Sequence, residues 1–372
     1  MSAPSPAAAA RGRSGPAAVP PGAVDPAGPR GRTGSGDPAG SAPATRGATG
    51  AGAPARLRFG YGTNGLADLR LADALGLLAD LGYDGVALTL DHMHLDPLAP
   101  ELAARTASVA RRLGRLGLAV VVETGARYVL DARRKHRPSL LDDDPRPRLD
   151  LLRRAVRVGA DLGAEAVSFW SGRLPSTVDA PAAWERLAAG CGELVDLAER
   201  LGVRLAFEPE PGMLVETVAD WEALAARVGG AHRLGLTLDI GHCRCLEPVP
   251  EAECVRRAGD RLANVQLDDM RRGVHEHLPF GDGEVDLPAV LAALHDVGYR
   301  GLASVELPRH SHAGPELAAR SIADLRAAAA SPPTDECALP APGEQFGQRV
   351  SSCSCSPARG TSQSAYREGV AR

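Results

Sequence analysis

Lysine is almost missing from this chain: Lys135 is the single lysine among 42 basic residues in 372. Arginine fills every other basic position and alanine is abundant, which reads as a coding bias. A basic residue here therefore carries little functional information by itself. No run of about 18 apolar residues occurs, which excludes a transmembrane helix. Positive charge is not in excess either. The formal net charge is −4, so no global cationic field draws the chain to nucleic acid or to an acidic membrane. Residues 1–55 contain no Leu, Ile, Phe, Tyr or Trp. A segment so rich in Ala, Gly, Pro and Ser buries too little apolar surface to offset its ordering entropy. Residues 329–372 read the same way. The predicted organisation is a disordered Ala/Gly/Pro-rich extension over 1–55, one folded domain over 56–328 and a disordered tail over 329–372. The N-terminus lacks the apolar core of a signal peptide, and a cytoplasmic location is expected. The seven cysteines are an odd number in a chain without an export signal, so disulfides are not expected. Cys243-x-Cys245 lacks zinc-site spacing and is expected in a loop after a strand. Cys191 and Cys254 sit in helical patterns and read as packing residues.

The middle of the chain alternates. Short apolar runs at 57–62, 85–90, 118–124, 166–170, 203–208, 234–239, 262–267 and 302–306 are separated by longer amphipathic stretches. The short runs lack polar alternation, as expected of strands buried on both faces. Helical patterns repeatedly end in Leu-Gly or Val-Gly, at Gly82, Gly117, Gly163, Gly202 and Gly298, where glycine can close a helix in the left-handed conformation. Eight strand–helix units within 56–328 predict an α/β fold, the (β/α)8 TIM barrel. A doubly wound open sheet is the alternative, but Tyr61-Gly-Thr-Asn-Gly65 is not its glycine-rich phosphate loop.

In such a barrel, chemistry gathers at the C-terminal ends of the strands. Those ends are polar here, and seven of the ten histidines follow a strand. Glu208, Asp239 and Glu306 leave three different strands and would converge at the barrel mouth. Three carboxylates so close repel unless a cation or protons compensate. Oxygen ligands suit Mg²⁺ or Mn²⁺, and imidazole admits Zn²⁺ or Co²⁺. Such an ion could hold two adjacent oxygens of a polyol and stabilise an enediolate, while a flanking carboxylate moves a proton on carbon. Candidate substrate contacts at the other strand ends are Glu123, His92, Trp170, Asp268 and His277. For each of these alone a bland role competes: an acid caps a loop, and a tryptophan fills the core. Arg133-Arg-Lys-His-Arg137 reads as a solvated or lid segment, with an anion clamp as the sharper reading.

Five stretches stand in order at barrel spacing: Leu205-Ala-Phe-Glu208-Pro209, Leu238-Asp239-Ile-Gly-His242, Asn264-Val-Gln266-Leu-Asp268, Pro279-Phe-Gly281-Asp-Gly283-Glu-Val-Asp286 and Val305-Glu306. Together they resemble the xylose isomerase-like TIM-barrel superfamily of sugar phosphate isomerases and epimerases, over residues 57–328. The resemblance implies Glu208, Asp239, Gln266 and Glu306 as metal ligands. It also implies Glu208 and Glu306 as a catalytic pair acting from opposite sides of a bound sugar, and His242 as a contact to a substrate hydroxyl. One position departs from the pattern: Gln266 stands where the family has a histidine. A glutamine oxygen serves Mg²⁺ or Mn²⁺ but is a poor zinc ligand, and His275 or His277 could compensate. The expectation is a metal-dependent sugar, sugar phosphate or inosose isomerase or epimerase working by 1,2-proton transfer. Mn²⁺ or Mg²⁺ is the favoured cofactor, with Zn²⁺ or Co²⁺ as alternatives. The partner is a small polyol or sugar, not nucleic acid or membrane, and homo-oligomer formation is left open. Competing readings are a cyclic-polyol dehydratase, a non-catalytic metabolite-binding or pathway-assembly barrel, and, less favoured, an endonuclease IV-like phosphodiesterase.

Overall fold

The computed structural model describes residues 56–125 and 127–330. The expectations for residues 1–55 and 331–372 lie outside the described residues. Ten strands occur among these: β1 (Arg58–Gly62), β2 (Gly85–Thr89), β3 (Ala119–Glu123), β4 (Val167–Phe169), β5 (Leu205–Phe207), β6 (Leu234–Asp239), β7 (Leu262–Leu267), β8 (Asp269–Arg271), β9 (Val274–Leu278) and β10 (Leu302–Val305). Eight run parallel and close a barrel in the order β1-β10-β7-β6-β5-β4-β3-β2, with β1 completing the ring against β2. β8 and β9 form a separate antiparallel hairpin. The helices are α1 (Leu71–Leu81), α2 (Leu102–Leu116), α3 (Arg146–Leu162), α4 (Ala180–Leu201), α5 (Val218–Arg227), α6 (Ile240–Leu246), α7 (Glu251–Ala258), α8 (Leu287–Asp296) and α9 (Gly314–Ala330). This is the (β/α)8 barrel that the alternation predicts. α9 continues two residues past the expected boundary at 328.

The strands are buried throughout because their inner side chains fill the barrel and their outer ones meet helices. All of β2 and all of β6 are buried. Phe169 and Phe207 are register partners on β4 and β5, and their rings meet edge to face at 5.1 Å. Trp221 of α5 and Tyr61 of β1 are wholly buried; sealing a large side chain from water contributes about 1.5–3 kcal/mol. Cys191 and Cys254 pack in the same core. Helix ends follow the sequence signals. Gly82 after α1 and Gly202 after α4 adopt φ of 79° and 68° and turn their N–H groups back to carbonyls of the last turn. α5 begins in a reciprocal cap between Thr217 and Asp220.

Two elements replace expected loops. Asp239 accepts the His242 N–H at 2.8 Å and so caps α6 directly at the end of β6. Cys243 and Cys245 are therefore buried helix residues rather than loop residues. The hairpin β8–β9 turns at Gly273, whose φ is 74° and whose N–H bonds the Cys245 carbonyl at 3.0 Å. The glycine-rich stretch after it winds round Asp269, which accepts N–H groups from Gly281, Gly283 and Val285 at 2.8–3.0 Å. A Cβ at Gly283 would collide with that carboxylate. The motif thus organises a loop, and its last acid, Asp286, caps α8. Among the described residues no helix is long and apolar enough to cross a membrane.

Candidate active site

A cavity opens at the C-terminal ends of the strands. Glu123, Trp170, Glu208, His242, Gln266, His277 and Glu306 line it, whereas Asp239 lies behind its wall. On its wall Gln266 joins two acids. Its amide nitrogen donates to Glu123 Oε1 at 3.0 Å and to Glu306 Oε2 at 2.5 Å. Glu306 Oε1 accepts from Asn64 Nδ2 at 2.9 Å. Both oxygens of Glu306 are thereby held by amide N–H groups, which fixes the plane of the carboxylate.

The electrostatics follow from crowding buried acids together. Burial first, then the charge of Glu306, pushes the carboxyls of Glu123, Glu208 and Asp268 well above the usual range. Burial and then Asp268 do the same to Asp239. Glu210, also on the cavity wall, is pushed up to about 7, chiefly by burial. A cation placed among these carboxyls would offset their mutual repulsion.

The donor set fits a divalent cation. Asp239 Oδ2 and Gln266 Oε1 are buried atoms without hydrogen-bond partners, on residues paired in register across β6 and β7. Glu208, Asp239 and His242 each bring a ligand atom within 4.8 Å of the others. Two further such groups exist among the described residues, His242–His275–His277 and Asp239–Asp268–His277. Glu306, expected among the ligands, belongs to none of the three.

Two candidate contacts are not brought to the cavity. His92 is exposed, pairs with Asp91 and is absent from the cavity wall. It follows the strand end by three residues, where the chain has turned outward. Asp268 is buried behind the wall: it accepts the Gly241 N–H at 3.0 Å and holds His277 Nδ1 at 2.6 Å.

The comparisons decide the lineage. Residues 75–328 match the family profile described as xylose isomerase-like TIM barrel. The chain belongs to the xylose isomerase-like TIM-barrel family. The rhizopine catabolism protein MocC of Rhizobium meliloti is 37% identical over 143 residues, 32% of this chain and 43% of that protein. The L-ribulose-5-phosphate 3-epimerase UlaE of Salmonella paratyphi C is 28% identical over 246 residues, 63% of this chain and 81% of that protein. The crystal structure of a D-allulose 3-epimerase from Methylomonas sp. shares the fold, with a TM-score of 0.59 and 21% identity over 74% of this chain and 99% of that one.

This xylose isomerase-like barrel also carries site residues that strand-end reading does not find. Arg127, Lys135, His136 and Arg309 reach the cavity wall from loops. Among the described residues, Arg127, Lys135 and Arg309 have no carboxylate in ion-pair contact, whereas many other arginines do. The 133–137 segment is seated by Arg148, a buried arginine whose guanidinium donates to the carbonyls of His136 and Pro138 at 3.0 Å. Arg148 and the His136 ring both lie against Trp170, at 4.8 and 4.7 Å. Burial first, then Lys135 and Arg148, lowers His136 from 6.5 to about 3. A folded pKa below the unfolded one gives stability that is complete above about 6.5 and is lost as pH falls toward about 3. Acid should therefore release this segment from Trp170, read as a change in tryptophan fluorescence. His136→Phe cannot take up the proton and should flatten the profile; an unchanged acid transition in that variant would refute the assignment.

Proposed function

We propose that the cavity binds a sugar or related polyol and moves a proton on the carbon beside its carbonyl, as an epimerase or isomerase. The observation that carries this is the unlike setting of two glutamates on one cavity. Glu306, at the end of β10, is clamped by two N–H donors in an acceptor-only arrangement. Glu208, after β5 and three strands away round the barrel, is pushed toward its protonated form by burial and by the charge of Glu306. An acceptor and a donor facing one substrate are what proton transfer on carbon requires. Glu306 takes the proton as the C–H bond breaks and its electrons form the enediolate. Glu208 supplies a proton to the trigonal carbon, so the carbon is inverted when the two act from different sides. Asn64 and Gln266 keep Glu306 from swinging out of line.

Asp239, the Gln266 oxygen and one oxygen of Glu208 would hold a divalent ion of the Mn²⁺ or Mg²⁺ kind, leaving the other Glu208 oxygen to carry the proton. Bound there, it would supply positive charge for the oxygens of the enediolate. Arg127, Lys135 and Arg309 at the mouth favour a substrate that also bears an anionic group, such as a sugar phosphate. The epimerase named among the relatives supports the same reading. Incubation with Mn²⁺ and a panel of ketoses and ketose phosphates in D₂O tests it. Deuterium should enter at carbon for at least one member, and its absence across a broad panel would count decisively against proton transfer.

A further inference from the structure

We propose that Lys135 is a nucleophile in this cavity, an amine that captures a carbonyl substrate as an imine. It rests on a sugar carbonyl entering the cavity, as the proton-transfer reading does. Lys135 is the one lysine among 42 basic residues, and it stands on the cavity wall. Charge alone does not call for a lysine there, since Arg127 and Arg309 line the same cavity. A guanidinium stays protonated and does not attack carbon, whereas an ε-amine can lose its proton and form a Schiff base. The single departure from the arginine bias thus falls where a carbonyl would bind, and it supplies the property that arginine lacks.

The chain holds this residue from both sides. The N–H groups of Arg133 and Arg134 donate to Asp131 at 2.8 and 3.1 Å, and the His136 N–H donates to the Arg127 carbonyl at 2.7 Å. Arg137 pairs with Asp142 at 2.8 Å. The surroundings favour the neutral, attacking amine. Partial burial lowers its pKa from the ordinary 10.5, Glu210 opposes this, and Arg127, Arg309 and Arg173 lower it again. His136 and His275, two further titratable groups that face it, are themselves brought down to about 3 and about 4, chiefly by burial. A cationic neighbourhood is one of the ways in which a lysine becomes nucleophilic. The cavity measures about 110 Å³ and is lined by Lys135, Glu208 and Glu306 alike, so one small ligand faces all three. The amine nitrogen adds to the carbonyl carbon. The oxygen then leaves as water, taking one proton from nitrogen and one from solvent, and a protonated imine remains. Glu306 takes the neighbouring C–H proton, and the electrons of that bond move toward nitrogen as an enamine. Glu208 returns a proton to carbon, and water hydrolyses the imine to ketose and free amine. The positive nitrogen is a second electron acceptor for the same proton transfer, reached by a covalent route.

Cyanoborohydride trapping tests this on the chelator-treated full chain, with dihydroxyacetone, pentuloses and hexuloses as probes. Reduction fixes an imine as a stable amine. Peptide mass mapping should place the adduct on Lys135, well ahead of the α-amino group of the chain. Trapping should set in at lower pH than for a free lysine, whose ordinary value is 10.5. Lys135→Arg keeps the charge, and should lose the adduct together with most of the deuterium incorporation at carbon. Deuterium incorporation without any adduct on Lys135 would overturn the nucleophile and leave proton transfer standing. An adduct on Lys135 with deuterium incorporation unchanged in Lys135→Arg would be glycation of an accessible amine only, and would overturn the proposal equally. An adduct formed at the lowered pH while no probe gains deuterium would support the nucleophile and count against proton transfer alone.

Discussion

Glu306→Gln is expected to lower the rate of deuterium incorporation by roughly 10²–10⁴-fold, the usual range for removing a general base. The variant keeps the shape of the side chain, so the loss reports chemistry rather than packing. Glu306 is held at both oxygens, by Asn64 at 2.9 Å and by Gln266 at 2.5 Å. A glutamine at 306 cannot accept a proton from carbon. One end of its amide also turns an N–H toward a donor that formerly met a carboxylate oxygen. The effect should fall on kcat with KM nearly unchanged, because the lost interaction exists only while the proton moves. Glu306→Asp keeps the charge but retracts it by one methylene, too short to meet both amides. Its rate should lie between those of the wild type and the glutamine variant. If Glu306→Gln retained kcat to within about tenfold, Glu306 would not be the proton acceptor. Neighbouring groups give a second check. The charge of Glu306 helps to push up Glu123 and Glu208, so in Glu306→Gln both carboxyls should ionise at lower pH.

The barrel was legible because its signals are local and repeated. Buried strands show as unbroken apolar runs, and glycines such as Gly82 and Gly202 mark helix ends by a backbone requirement that no partner alters. The helix α6 was hidden because Asp239 does two jobs. One oxygen caps the helix while the other stays free in the site, and the sequence pattern Asp-x-x-His announces only the second. The hairpin β8–β9 had a signal that was available: His275 and His277 are two apart, the spacing that puts side chains on one face of a strand. His92 and Asp268 follow the last residue of their strands, where the pleat no longer decides direction. Arg127, Lys135 and Arg309 could not be found from periodicity, because loop paths bring them to the cavity. The arginine bias concealed two of them further, since an arginine in this chain is the default base.

Gln266→Leu is expected to cost about 3 kcal/mol or more of folding stability, since two hydrogen bonds to acidic groups are lost at about 1.5–3 kcal/mol each. The side chain is 2% exposed, so water cannot replace the amide. Leucine has nearly the volume of glutamine, which isolates the polar term from cavity formation. The measurement is the denaturation midpoint, with the slope against denaturant unchanged. The sign of the pH dependence is a second check. Without the amide between them, Glu123 and Glu306 repel directly, and the folded state must retain a proton to relieve this. A folded pKa raised above the unfolded value means stability present at low pH and lost as pH rises. The deficit of the variant should therefore grow only as pH climbs past the already raised value of Glu123 in the wild type. A pH-independent deficit would mean that packing, not the paired acids, sets the cost. The same geometry explains why an amide can stand where the family resemblance leads one to expect histidine. A single NH₂ group meets two acids at once, at 3.0 and 2.5 Å, and leaves the oxygen of the same side chain unpartnered in the site. An imidazole offers one N–H on that side and would leave one acid unmet. Gln266→His should thus fall between wild type and Gln266→Leu in stability, whatever it gains in affinity for a softer metal.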